Sequence, residues 1–85
     1  MPAKSLIIAD RAYKQLTNLS FGIQKRIEKA LGRLQQNPVL GIKLHGELAN
    51  YYKLRVGDYR VVYRFDTQTS TVVVVKIEHR QGVYK

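Results

Sequence analysis

Residues 52–63 read YKLRVGDYRVVY, and this stretch decides the fold. Side chains of alternating character flank Gly57 on both sides, which predicts two antiparallel strands, Tyr51–Val56 and Tyr59–Asp66. Only two residues separate the strands, and a glycine in the first of them favours a type II′ turn. Residues 71–78 are rich in valine and follow a polar turn. The sequence therefore predicts a three-stranded antiparallel meander.

The alternation assigns the side chains of this hairpin to two faces of the sheet. One set is apolar and is expected to pack under helices: Tyr52, Leu54, Val56, Tyr59, Val61, Tyr63 and Phe65. The cations belong to the other, uncovered face: Lys53, Arg55, Arg60 and Arg64. The two-residue turn also sets Arg55 directly opposite Arg60, a like-charge pair that destabilises a sheet. Two guanidinium groups side by side therefore predict a bound anion, such as a phosphate.

The third strand is expected to add charges to the same uncovered face. If Val73, Val75 and Ile77 face the helices, the residues of opposite parity point away from them: Val74, Lys76, Glu78 and, just past the strand, Arg80. Glu78 leaves a second interpretation open, because a cross-strand ion pair with Arg60 would also explain its place. The uncovered face is then either a phosphate site or a set of ordinary surface ion pairs.

The N-terminal half predicts a strand followed by two helices. Residues 4–9 form the strand, and Asp10 is expected to cap the first helix. Its apolar residues recur at helical spacing: Ala12, Leu16 and Leu19. The second helix ends before Pro38 and has a longer stripe: Ile23, Ile27, Ala30, Leu31 and Leu34. We predict a single α+β domain over residues 1–85, with a strand, a two-helix hairpin and the meander, and with both helices on one face of the sheet.

The charge of the chain points to an anionic partner. Its 15 Lys and Arg residues outnumber 6 Asp and Glu residues, so the formal net charge is +9. A charge of this sign attracts phosphate, anionic membranes or acidic proteins. The absence of cysteine excludes disulfides, zinc–cysteine sites and thiol nucleophiles. Neither histidine has a carboxylate or cysteine at the spacing typical of metal ligands, so we expect no metal site.

The second helix carries a basic stripe. Lys25, Lys29 and Arg33 lie four residues apart, and such like charges slightly destabilise a helix. The stripe is either a solvated face or a surface that contacts the backbone of RNA. Together with Arg64 and Lys76, it forms the set that we predict to bind RNA or the ribosome.

The apolar runs of the chain are short. The longest covers residues 72–75, whereas about 20 residues are needed to cross a bilayer. The apolar residues 6–8 near the N-terminus are too few for the core of a signal peptide. We therefore expect a cytoplasmic protein with no membrane partner.

Three short motifs stand out along the chain: KLHGEL at residues 43–48, YKLRVGDYRVVY at 52–63, and HR at 79–80 with VY at 83–84. Together they resemble the RelE family, which comprises toxins of bacterial and archaeal toxin–antitoxin pairs within the RelE/ParE superfamily. The resemblance covers nearly the whole chain. It implies the RelE-like fold and an mRNA interferase, an endoribonuclease that enters the ribosomal A site and cuts mRNA there without a metal or other cofactor.

The resemblance also implies a catalytic set, which falls on Lys53, Arg55, Arg60, Arg80 and Tyr84. Arg60 would stabilise charge at phosphorus, Arg80 would orient or protonate the leaving 5′-oxygen, and Tyr84 would stack on an mRNA base. Lys53 is a candidate general base only in its neutral form. In the family, both cations before the turn are lysines, and the second is the usual proposed base. This sequence has Arg55 at the second position, and an arginine is a poor general base because its guanidinium stays protonated.

The partners implied by the resemblance are a cognate RelB-like antitoxin, the ribosome and mRNA, with DNA reached only indirectly through the antitoxin. Two other functions stay open. One is a ParE-like toxin that inhibits DNA gyrase without nuclease activity, although such relatives lack the cationic set with Tyr84. The other is a non-catalytic RNA-binding module, which would need only the charge.

Overall fold

The structure is a computed structural model that describes residues 2–79. In chain order its elements are strand β1 (Ser5–Ile8), helices α1 (Asp10–Thr17) and α2 (Phe21–Gln36), and strands β2 (Ile42–Lys43), β3 (Tyr51–Val56), β4 (Tyr59–Asp66) and β5 (Thr71–His79). The predicted strand, helix pair and meander are all present. The α+β fold is therefore confirmed.

The five strands form one sheet in the order β1-β5-β4-β3-β2. β1 runs parallel to β5, whereas the other neighbouring strands are antiparallel. The sequence did not predict β2, because two residues are too few to show a period. β2 pairs only with the first half of β3, where Ile42 lies opposite Lys53. Among residues 2–79, no strand therefore pairs with the outer edge of β3 beyond Lys53.

Both helices pack on one face of the sheet. The core contains Ala12, Leu16, Ile27, Leu31 and Leu34 from the helices and Val61, Tyr63, Val72, Val74 and Ile77 from the sheet. The other apolar residues predicted for the inner face of the hairpin lie against this core: Tyr52, Leu54, Val56, Tyr59 and Phe65. The inward face predicted for the apolar residues of β3 and β4 is thus confirmed, and Lys53 and Arg60 are left on the face without helices.

The faces predicted for the first part of β5 are wrong. Val74 is fully buried, whereas Val73 and Val75 are only partly buried and are not part of the core. The cause is a shift in pairing: Val62 pairs with Lys76, but the next residue of β4 pairs with Val74. Val75 is therefore an extra residue, which defines a β-bulge. After the bulge, the alternation follows the predicted faces again.

Two local predictions concern the ends of elements. Asp10 is not the N-cap of α1: Ala9 holds that position, and no side chain caps the helix. Asp10 is the first helical residue, where the helix dipole still favours its negative charge. The β3–β4 turn follows the type II′ prediction, since the φ angle is positive at Gly57 (61°) and not at Asp58.

Tyr63 connects β4 to the segment that leads into β2. Its ring is fully buried and stacks on Tyr52, with 5.3 Å between ring centroids. Its hydroxyl accepts a hydrogen bond from the backbone N–H of Gly41 at 2.9 Å. Burial raises the pKa of Tyr63 above its ordinary value of 10.0, although the Gly41 bond acts in the opposite direction. A Cβ on Gly41 would lie 2.6 Å from the carbonyl oxygen of Lys53, so glycine allows this close approach.

Candidate nucleic-acid interface

The face of the sheet without helices carries a groove of about 450 Å³, which we call the open-face groove. Its charged lining consists of Arg11, Lys53, Arg60, Lys76 and Glu78, and its other lining residues are Leu44, Tyr51, Val62 and Val75. Within residues 2–79, four cations thus face a single carboxylate in this groove. Such an excess of positive charge in a concave surface attracts polyanions.

The β3–β4 hairpin brings Lys53 and Arg60 into this groove. The register sets Lys53 opposite Val62 and Arg60 opposite Arg55, as the sequence predicted. Lys53 and Arg60 are therefore diagonal neighbours on one face, within reach of each other's long side chains. The Arg60 side chain is only 23% exposed, so its guanidinium has few alternative positions. A restricted guanidinium is well suited to hold a phosphate in a defined orientation.

Glu78 pairs with two of the groove cations. Its Oε2 lies 3.7 Å from Nη1 of Arg60, and its Oε1 lies 3.3 Å from Nζ of Lys76. The cross-strand ion pair that the sequence left open is therefore present. It does not exclude an anion site, because 3.7 Å exceeds the roughly 2.7–2.9 Å of a hydrogen bond between charged groups.

Helix α1 contributes a groove residue that the sequence analysis missed. β1 pairs with β5 only as far as Val74, and α1 packs along the edge of β5 beyond that residue. Gln15 protects this edge, since its Oε1 accepts a hydrogen bond from the Ile77 N–H at 2.7 Å. Arg11, one turn earlier, lines the groove. Only the parallel pairing of β1 with β5 could have indicated Arg11, and no pattern in the sequence predicts that pairing.

A second basic surface lies between α2 and the β3–β4 turn. This α2 hollow has a volume of about 320 Å³ and is lined by Arg26, Lys29, Ala30, Arg33, Arg55, Val56 and Gly57. Two of the predicted stripe residues, Lys29 and Arg33, belong to it. Arg26 was not predicted, and it packs so closely that a Cβ on Gly57 would lie 3.0 Å from its guanidinium. The hollow is thus assembled from a helix and a turn that are distant in sequence.

Arg55 belongs to the α2 hollow and not to the open-face groove. Its backbone pairs with Arg60, but its side chain lines the hollow and its Nε donates a hydrogen bond to the carbonyl of Gly57 at 3.3 Å. The structure therefore brings Lys53 and Arg60 together and separates Arg55 from them.

Two further cations of the predicted set lie elsewhere. Lys25 lines neither basic surface: its Nζ is 3.7 Å from Glu28 and 5.1 Å from the ring centroid of Phe21. Arg64 lines a separate hollow of about 410 Å³ together with Lys43. The predicted set is thus spread over several parts of the surface.

Arg80 and Tyr84 lie outside the described residues, so their roles stay predictions. Within residues 2–79, no three His, Asp or Glu side chains are grouped as metal ligands. Neither helix in this part of the chain is long and apolar enough to span a membrane.

Comparisons with known proteins identify the class. Residues 6–84 match the family described as the ParE toxin of the type II toxin–antitoxin system parDE. The chain therefore belongs to this family, and it is a type II toxin of the RelE/ParE superfamily, as the resemblance implied.

Individual relatives lie on the RelE side of this superfamily. The chain is 38% identical over 60 residues to Toxin RelG of Mycobacterium tuberculosis (strain ATCC 25618 / H37Rv). The matched segment covers 69% of this chain and 69% of that toxin. Its fold is similar to that in the RelBE2 toxin–antitoxin complex of the same species, with a TM-score of 0.83, 33% identity, and coverage of 94% of this chain and 100% of that one. It is also similar to the archaeal RelE–RelB complex of Pyrococcus horikoshii OT3, with a TM-score of 0.78, 26% identity and coverage of 94% and 97%.

Proposed function

We propose that this toxin is a ribosome-dependent endoribonuclease that cuts mRNA in the A site. The observation that carries the proposal is the open-face groove, where Lys53 and Arg60 lie together on the face without helices. The similarity to a toxin named RelG and to a toxin within a RelBE2 complex also supports the proposal.

The chemistry that suits such a groove uses the RNA itself as nucleophile. The 2′-hydroxyl, which DNA lacks, attacks the adjacent phosphorus, and the bond from phosphorus to the 5′-oxygen breaks. The products are a 2′,3′-cyclic phosphate and a free 5′-hydroxyl. One proton leaves the 2′-oxygen and one reaches the 5′-oxygen, so the balance requires neither a metal nor a cofactor.

Arg60 is the residue we propose to stabilise the transition state. A guanidinium binds two phosphate oxygens at once and keeps its charge, so it can offset the charge that develops on phosphorus. Lys53 beside it would hold the same phosphate or, in its neutral form, accept the 2′-proton. We propose that Arg80 orients or protonates the leaving oxygen and that Tyr84 stacks on a base. Because no strong base is among these residues, alignment of the RNA by the ribosome would supply most of the rate.

The α2 hollow is the surface we propose to contact ribosomal RNA. Its cations meet the requirement for backbone contacts, which add affinity without reading sequence. The position of Arg55 in this hollow favours a binding role for that residue over the catalytic role that the resemblance implied. Lys25, Arg64 and Lys76 would extend the contact.

We propose a cognate RelB-like antitoxin as the protein partner and the cytoplasm, where ribosomes work, as the compartment. Two similar structures are named as complexes of a RelE-type toxin with RelB-type antitoxin. An antitoxin would neutralise the toxin by covering its basic surface, and any contact with DNA would be made by the antitoxin.

A ParE-like inhibitor of DNA gyrase is the second candidate, because the matching family is described as ParE toxin. Such a toxin does not need Arg60 to bind a phosphate, so replacing Arg60 would leave its toxicity intact. A non-catalytic RNA-binding module is the third candidate. It would tolerate replacement of Arg60 with a modest loss of affinity.

The test is to add the purified toxin to a translating extract and to map the 5′ ends of the mRNA. Wild type is compared with Arg60→Ala, Arg80→Ala and Tyr84→Ala. Lys14→Ala is the control, because it removes an equal charge from an exposed position on α1. We expect cuts at A-site codons that disappear with Arg60→Ala and persist with Lys14→Ala.

The other outcomes separate the alternatives. Intact mRNA combined with inhibited supercoiling by gyrase would support the ParE-like function. Intact mRNA combined with RNA binding would support the non-catalytic module. Free RNA that stays uncut is compatible with the proposal, since the ribosome completes the site.

A further inference from the structure

Glu78 is the carboxylate of the open-face groove, and the proposed reaction does not use it. Each of its oxygens faces a different cation: Oε2 is 3.7 Å from Arg60, and Oε1 is 3.3 Å from Lys76. The side chains of Arg60 and Glu78 are only 23% and 25% exposed, and that of Lys76 is 38% exposed. Fully exposed ion pairs contribute little to stability, so partial burial distinguishes this trio.

The backbone imposes this arrangement. Arg60 and Glu78 are directly paired residues of β4 and β5, and Lys76 lies two residues before Glu78 on the same face. The bulge at Val75 is responsible, because it sets Lys76 and Glu78 on the groove face while Val74 and Ile77 stay buried. The trio therefore results from strand pairing and does not depend on a chance meeting of long side chains.

A carboxylate and a phosphate present similar pairs of oxygens to a guanidinium. Glu78 thus occupies, next to Arg60 and Lys76, the kind of position that a phosphate would take. Its contact with Arg60 is longer than a hydrogen bond between charged groups, about 2.7–2.9 Å, so this contact can be exchanged for a stronger one.

We propose that Glu78 is an internal competitor for the phosphate of RNA and a positioning residue for Arg60. In the empty groove it holds Arg60 and Lys76 in place. When RNA enters, the phosphate takes over these two cations against the repulsion of Glu78. This rests on the proposed function insofar as it takes RNA phosphate as the ligand of the groove. It follows that free RNA binds weakly to the toxin, and that productive binding requires the additional contacts of the ribosome.

The test measures the affinity of a 2′-O-methyl oligoribonucleotide of about a dozen nucleotides, which cannot be cleaved by its own 2′-oxygen. Fluorescence anisotropy over about 50–200 mM salt gives the dissociation constant and its salt dependence. Glu78→Gln keeps the shape of the side chain and removes its charge. We expect it to bind RNA about fivefold more tightly than wild type. We also expect a salt dependence that is steeper by about one phosphate contact, roughly 0.7 in the slope.

Glu47→Gln is the matched control. Glu47 is exposed between β2 and β3 and lines neither the open-face groove nor the α2 hollow. The two variants change the net charge equally, so the proposal requires that Glu47→Gln alter the affinity by less than about twofold. Equal tightening by both variants would mean that net charge alone matters and would overturn the proposal. Weaker binding by Glu78→Gln would also overturn it, since Glu78 would then only support the groove.

Glu78→Asp is a second variant that keeps the charge on a shorter side chain. We expect it to bind RNA within about twofold of wild type. If it tightened binding as much as Glu78→Gln, the negative charge at this position would not be what weakens RNA binding, and the competitor role would be rejected. The measurement does not depend on cleavage. Uncut mRNA in the extract together with tighter binding by Glu78→Gln would therefore reject the proposed nuclease and still support the role of Glu78.

Discussion

The open-face groove and the α2 hollow are both basic, yet they are built differently. The groove lies on paired strands, has Val62 and Val75 in its lining, and contains a carboxylate that holds Arg60. The hollow lies between a helix and a turn, and within the described part of the chain no acidic residue lines it. Arg55, its link to β3, is exposed, whereas Arg60 opposite it is largely covered.

This difference indicates which surface suits chemistry and which suits binding. A reaction requires groups that are held in one geometry before the substrate arrives, and paired strands with an internal counterion provide this. Binding to a phosphate backbone requires only a high density of positive charge, and mobile exposed side chains are sufficient. The two surfaces should therefore respond differently to the loss of a single cation.

The strongest test of this contrast replaces one arginine on each surface. Single-turnover cleavage on programmed ribosomes should be about 100-fold slower or worse for Arg60→Ala at saturating toxin, because a transition-state contact is lost. Arg33→Ala should leave the saturated rate within about twofold of wild type and should raise the concentration needed for half-saturation. Similar losses of the saturated rate in both variants would show that the two surfaces are not functionally distinct.

A smaller effect is expected at Arg55, for which we propose a binding role in place of the catalytic role that the resemblance implied. If Arg55 serves binding, charge is sufficient, and Arg55→Lys should keep both the cleavage rate and the ribosome affinity within about twofold. Arg55→Ala should weaken ribosome affinity about fivefold at an unchanged saturated rate. The same single-turnover assay measures both quantities. Complete loss of cleavage in Arg55→Lys would instead show a site built around a guanidinium.

The smallest effect concerns the sheet beneath the groove and leaves the α2 hollow untouched. Tyr63→Phe removes the hydroxyl that accepts the Gly41 N–H bond and should lower the free energy of unfolding by about 1 kcal/mol at neutral pH. Denaturant unfolding followed by circular dichroism measures this change.

The pH dependence of this difference has a defined sign. Burial raises the pKa of Tyr63 in the folded protein above 10.0, so its phenol ionises first in the unfolded chain. The stabilisation by Tyr63 is therefore complete below about pH 10 and declines above it. The advantage of wild type over Tyr63→Phe should shrink in alkaline solution, and an advantage that grows with pH would contradict the burial of this hydroxyl.

Much of the fold was predictable because its signals are local. The turn at Gly57 and the alternation around it determined the register of β3 and β4, including the Arg55–Arg60 pair. The stripe on α2 predicted its buried residues, and Pro38 predicted its end near Gln36. The faces predicted for the first part of β5 failed because they depend on how β5 pairs with β4. Val74 was assigned to the wrong face, since a run of four valines gives no sign of a bulge.

The site was predictable only in part for the same reason. Lys53 and Arg60 lie on adjacent strands of one hairpin, so the sequence alone predicted that they share a face. Arg11 enters the groove only because β1 pairs with β5 and sets the first turn of α1 beside it. Arg55 lines the α2 hollow because the β3–β4 turn lies beside α2, and no local pattern in the sequence predicts that contact.

The amino-acid sequence by itself determined the two helices, the strands other than β2, the hairpin register and the basic character of the chain, since these follow from the order of neighbouring residues. Only the tertiary structure decided which cations share a surface. Side chains from distant segments meet according to strand order, bulges and free edges, and these depend on how the whole core packs.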